Sequence, residues 1–272
     1  MVVTYSVLGS IVKELVGNRA AVTVLIPNNL DPHEFEPSAK DIESVNKADL
    51  VIENGLGLEG GMLKPLATAK VNGVPFFTAS DHIQVRHVAA GEGIPSGDPD
   101  QSIGAADPHF WLDPPMMKEL VAALVPTFKQ VLNLDVSTAG QVLETGLDGL
   151  NSQLTSLLSV IPAENRKLVT GHESMGYFAQ RYNFKLVGVI VPSLSSQGGV
   201  SAGDLAALKQ AILANGVKAI FTELGTSPVV SKAIGDETGV KVVEITTHAL
   251  PPDSSYFTFM TNLAGIVADA LK

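Results

Sequence analysis

Between Lys167 and Val191 the chain reads KLVTGHESMGYFAQRYNFKLVGVIV. Lys167–Thr170 is short and apolar, as a buried strand is. Ser174–Tyr182 carries apolar and aromatic residues at helical spacing, and Leu186–Val191 is β-rich again. A β-run, a helical pattern and a second β-run in immediate succession read as parallel α/β structure. The pattern extends in both directions. Further strands are expected at Val2–Ser6, Val22–Ile26, Leu50–Glu53, Val74–Thr78, Ala219–Thr222 and Val240–Ile245. Helices are expected at Leu8–Val16, Ser38–Lys47, Ala202–Asn215 and Pro228–Thr238. The expected fold is therefore α/β, with two similar lobes, each a four-stranded, mainly parallel sheet flanked by helices.

Between the halves, Pro114–Leu132 reads as a helix whose paired prolines suit a first turn. From Asp135 to Val160, Leu143, Leu147, Leu150, Leu154 and Leu157 recur at helical spacing. About 25 helical residues would run about 37 Å, long enough for a stiff spine between small lobes. The implied division is residues 1–134, a linking helix at 135–160, and residues 161–272. Ala89–Ala106 is rich in Gly, Pro, Asp and Ser without periodicity and reads as a mobile loop.

Composition narrows the function. The chain has 272 residues, 45% of them apolar, enough for a substantial core. Its net charge of −10 disfavours nucleic acid and anionic membranes as partners. With no cysteine, thiolate metal sites, disulfides and Cys nucleophiles are excluded, so a transition-metal site must use imidazole and carboxylate. No apolar run reaches the roughly 20 residues that span a bilayer. If the protein is exported, its targeting segment has already been removed from this sequence.

Four of the six histidines share a local setting. His33 follows a strand within DPHEFEP (Asp31–Pro37). His109 opens HFWLDP, leading into the next helix. His172 and His248 each lie just beyond a strand. Ligands of open α/β sheets bind outside the carboxyl ends of the strands. Two such histidines per half could converge on one ion if the halves face each other. Their wide spacing rules out a zinc finger. Glu223, at a strand end, is a candidate to orient a ligating imidazole. His82 and His87 read as surface residues, and Trp111 as packing beside His109.

At these motifs the chain resembles the zinc/manganese solute-binding proteins of ABC importers, also called cluster A-I or cluster 9. The similarity rests on DPHEFEP at Asp31–Pro37, ADLVIENGLGLE at Ala48–Glu59, HFWLDP at His109–Pro114 and TGHESMGYFAQRY at Thr170–Tyr182. It implies two α/β lobes joined by a long helix, with His33, His109 and His172 as ligands. His248 stands where many members carry an acidic ligand, so the fourth ligand is His248, Asp253 or water. Four neutral nitrogens favour Zn²⁺ over Mn²⁺. The implied protein is a monomeric, extracytoplasmic binding component, periplasmic or lipid-anchored, that delivers metal to an ABC permease. The competing enzyme reading is a zinc hydrolase with three histidines and a bound water. It lacks an HExxH helix motif. An adhesin role has no surface motif behind it. An organic-solute binder would need more aromatic and Arg residues than one Trp and four Tyr suggest.

Overall fold

The computed structural model describes residues 1–92 and 102–272. The centre of the expected loop, residues 93–101, lies outside them. The described chain divides into two compact units. The first gathers Met1–Gln84, Pro114–Ser152 and His248–Phe259; the second gathers Val85–Asp113, Gln153–Thr247 and Met260–Lys272.

The first unit is built on one parallel sheet of β1 (Val2–Tyr5), β2 (Thr23–Ile26), β3 (Val51–Glu53) and β4 (Phe76–Thr78), in the order β2-β1-β3-β4. The connections are α1 (Ser6–Val16), α2 (Ala39–Asn46) and α3 (Leu63–Val71). Because β1 is central and the order reverses beside it, the carboxyl ends of the strands open a crevice, the usual ligand position in such sheets. Val2, Leu25, Val45, Val51, Met62, Leu66 and Ala69 form one packed cluster of this unit. Ser38 starts α2 through a capping box with Asp41.

α4 (Pro114–Leu132) begins on the proline pair, as its sequence suggests. α5 (Ser137–Leu158) has 22 residues, about 33 Å at 1.5 Å per residue. The chain leaves the first unit for the second within α5.

The second unit contains β5 (Lys167–Thr170), α6 (Gly176–Tyr182), β6 (Lys185–Val189), α7 (Ala202–Asn215), β7 (Ala219–Thr222), α8 (Pro228–Thr238) and β8 (Lys241–Glu244). Its strands form two parallel ladders, β5–β6 and β7–β8, with β5 beside β7. The β5–β6 register slips between Leu168 and Val169. Val169, Val187, Ile190, Leu208, Ile212, Val217, Ile220 and Ile234 make up a core cluster here. Ser201 with Asp204, and Ser227 before Pro228, start the two flanking helices. Both end on left-handed glycines, Gly216 and Gly239, which a side chain would strain. A last helix, α9 (Tyr256–Leu271), was not among the expected elements. Its buried Tyr256, Phe259, Met260, Leu263, Val267 and Leu271 keep strict helical spacing. No described helix is long and apolar enough to cross a membrane.

Candidate metal centre

Each unit brings two of the expected histidines together, and all four are buried. In the first unit His33 lies in the segment after β2. The Asp31 carboxylate accepts the His33 backbone N–H at 2.9 Å, a turn that Pro32 stiffens. Gly60 packs directly on the peptide behind it. Its φ is +33°, and a Cβ there would stand 2.2 Å from the His33 carbonyl oxygen. His248 follows β8. Ser6 Oγ donates to its carbonyl at 3.4 Å. The side-chain amide of Asn28 pairs with both backbone groups of Leu250, donating at 2.9 Å and accepting at 2.8 Å. The two rings meet edge to face, with centroids 5.9 Å apart.

In the second unit the same Asp-Pro-His turn recurs. Asp107 Oδ1 accepts the His109 N–H at 2.9 Å and also lies 2.9 Å from His109 Nδ1. Asp107 Oδ2 accepts from Arg86 Nη1 at 3.0 Å. His172 leaves the end of β5 through Gly171, where a Cβ would stand 2.0 Å from Thr226 Oγ1. The His172 N–H donates to Glu223 Oε1 at 3.1 Å, and His172 Nδ1 is also 3.1 Å from that oxygen. Glu223 further accepts from Ser174 Oγ and from the Thr247 hydroxyl.

A carboxylate can only accept, so Asp107 favours a proton on His109 Nδ1 by hydrogen bonding, and the negative charge of Glu223 3.1 Å away favours one on His172 Nδ1. That leaves lone pairs on the two Nε2 atoms, which face each other at 3.2 Å. Two lone pairs so close repel unless a proton or a cation lies between them. Two nitrogens bound to one tetrahedral Zn²⁺ stand about 3.3–3.4 Å apart, given bonds of 2.0–2.1 Å. The His109–His172 pair is close to that spacing. Burial, and then the neighbouring His172, hold the His109 pKa well below the usual 6.5. A neutral imidazole is the form that ligates metal. Burial raises the Asp107 pKa to about 6, against the pull of Arg86.

The other candidates fall elsewhere. Asp253 is exposed, and its two oxygens take the Ser255 N–H and the Thr258 hydroxyl at the start of α9. His82 and His87 are exposed, His82 stacking on Phe77. Trp111 is fully buried 5.2 Å from the His109 ring, and its Nε1 donates to the Thr247 carbonyl at 2.7 Å. Reading the sequence did not single out Asp107, Arg86 or Asn28. The repeated Asp-Pro-His would have pointed to the aspartates; nothing local marks Arg86 or Asn28.

Residues 1–270 match the family model described as zinc-uptake complex component A, periplasmic. The chain belongs to this family. Members of the zinc-uptake component A family are substrate-binding parts of transporters and not enzymes, so the hydrolase alternative falls. Among relatives, the manganese-binding lipoprotein MntA of Halalkalibacterium halodurans is 25% identical over 94% of this chain and 81% of its own length. The zinc-binding protein TroA of Treponema pallidum is 29% identical over 82% of this chain and 69% of its own. A solved structure of periplasmic zinc-binding TroA from Treponema pallidum superposes with a TM-score of 0.85, covering 99% of this chain and 98% of its own at 24% identity. The two-lobed α/β fold of that protein is the fold seen here. The family thus includes relatives named for zinc and for manganese.

Proposed function

We propose that this chain captures Zn²⁺, in preference to Mn²⁺, on His33, His109, His172 and His248 and delivers it to an ABC permease outside the cytoplasmic membrane. The observation that carries the reading is the His109–His172 pair, with ring nitrogens 3.2 Å apart and a buried carboxylate behind each ring. The four buried histidines are also the set compatible with a metal ion among the described residues. Imidazole without a carboxylate ligand suits Zn²⁺ better than the harder Mn²⁺. Relatives named as periplasmic proteins and lipoproteins support a site of action outside the membrane. The chain would act as a monomer, with no role for nucleic acid.

Elemental analysis of protein purified without added metal, followed by competition titration with Zn²⁺ and Mn²⁺, tests the choice of ion. Zinc should dominate, and equal or stronger retention of Mn²⁺ would reject it. His248→Ala should weaken Zn²⁺ binding at least tenfold if His248 is the fourth ligand. An unchanged Kd would remove it from the set.

A further inference from the structure

We infer that Arg86 is a positioning residue for metal binding, acting on His109 through Asp107. The inference rests on the proposed role of His109 as a ligand. Arg86 is 8% exposed, an unusual position for a guanidinium. One arm reaches Asp107 Oδ2 at 3.0 Å and another reaches Glu92. Its own backbone N–H donates to the Tyr177 hydroxyl at 2.7 Å, which fixes the base of the side chain. The space around the pair is closed on the remaining side. A Cβ at Gly176 would lie 2.3 Å from Asp107 Oδ2 and 2.4 Å from Arg86 Nη1.

The molecule contains its own comparison. Asp31 and Asp107 make the same contact to the following histidine, each accepting the backbone N–H at 2.9 Å. Asp107 is also braced by Arg86, at 3.0 Å, and lies 2.9 Å from the imidazole of His109. The second oxygen of Asp31 has no hydrogen-bond partner among the described residues. The turn therefore forms without an arginine, and a purely structural role in the turn does not account for Arg86. What the brace adds is orientation. With Oδ2 held by the planar guanidinium, Oδ1 is fixed in place to accept from Nδ1 of His109. Nε2 is then the nitrogen presented beside His172. Groups behind a ligating histidine typically change metal affinity about 10- to 100-fold.

The test uses the full chain with Zn²⁺ in four versions: wild type, Arg86→Gln, Arg86→Lys and His109→Ala. Competition titration gives the Kd. Proton NMR of the Zn²⁺-saturated protein reads the low-field Nδ1–H signal of His109, assigned by its absence in His109→Ala. Arg86→Gln should weaken binding about 10- to 100-fold and move that signal upfield. Arg86→Lys keeps the buried charge for folding but loses the planar fork, so it should shift both readouts in the same direction by less. It decides the matter if the Gln variant does not fold. If His109→Ala binds like wild type, the metal-site reading itself fails. If His109→Ala is weak while the folded Arg86 variants bind like wild type, the Arg86 inference is overturned. Weaker binding with an unmoved Nδ1–H signal overturns it too, since Arg86 would then only support the fold.

Discussion

At the scale of single residues, the site depends on which atom of each ring is held from behind. Asp107 and Glu223 occupy the Nδ1 side of His109 and His172, so removing either acid should cost metal affinity without removing a ligand. Glu223→Gln should weaken Zn²⁺ binding about tenfold in the same titration, because an amide can turn its NH₂ toward the ring. Gly60 gives a second residue-level expectation. Alanine there combines a positive φ with a Cβ 2.2 Å from the His33 carbonyl. Gly60→Ala should lower stability by about 1–3 kcal/mol and displace His33, so urea unfolding and Zn²⁺ titration should both change. Trp111, 5.2 Å from the His109 ring, should report ligation as a change in tryptophan fluorescence that His109→Ala abolishes. The histidines stood out in the sequence because three follow a strand run and His109 leads into a helix, each in or beside a polar, Pro- or Gly-marked turn. Arg86 and Asn28 did not. Arg86 acts across 21 residues and Asn28 across 222, and nothing near either one records those partners.

At the scale of elements, most helices and strands follow from local chemistry. Capping boxes open α2 and α7, and left-handed glycines close α7 and α8. Ser201→Ala removes the acceptor for the Asp204 N–H and should cost about 0.5–2 kcal/mol, read as a lower urea midpoint at an unchanged m-value. Because the exposed Ser201 bonds Asp204 at the start of its own helix, little change in Zn²⁺ affinity is expected. The family motifs also have a structural side. Arg181 of YFAQRY forms a two-pronged pair with Asp113 of HFWLDP, both contacts at 2.9 Å, which ties α6 to the segment that carries His109. α9 was legible but unread: its apolar residues repeat at three and four, yet the preceding Pro-Pro-Asp-Ser-Ser run draws attention to a turn instead. The β5–β6 slip was not legible, because register is set by the partner strand.

For the whole molecule, pH and metal should act on stability in calculable directions. Glu59 is fully buried, accepts from Thr4 Oγ1 and the Asn54 N–H, and has its pKa raised to about 7, chiefly by burial. A carboxyl whose folded pKa exceeds its unfolded value binds more protons when folded. Its contribution is complete below about pH 4.5 and is lost as pH rises through about 7. Glu59→Gln should therefore flatten the fall in stability over that window, as measured by thermal unfolding at several pH values. His109 runs the other way. Its lowered pKa gives stability that is present above about pH 6.5 and lost on acidification. Zn²⁺ at about 100 times its Kd should raise stability by about 2.7 kcal/mol, and chelation should reverse the gain. The sequence alone determined the parallel α/β class, the strand order and most of the helices, α3 and α9 excepted, and it drew attention to four histidines, because alternation, capping and Pro- or Gly-marked turns are local properties. Only the tertiary structure decided which distant segments pack into each unit and which carboxylate stands behind each ring. Those contacts join residues whose proximity no neighbouring side chain encodes.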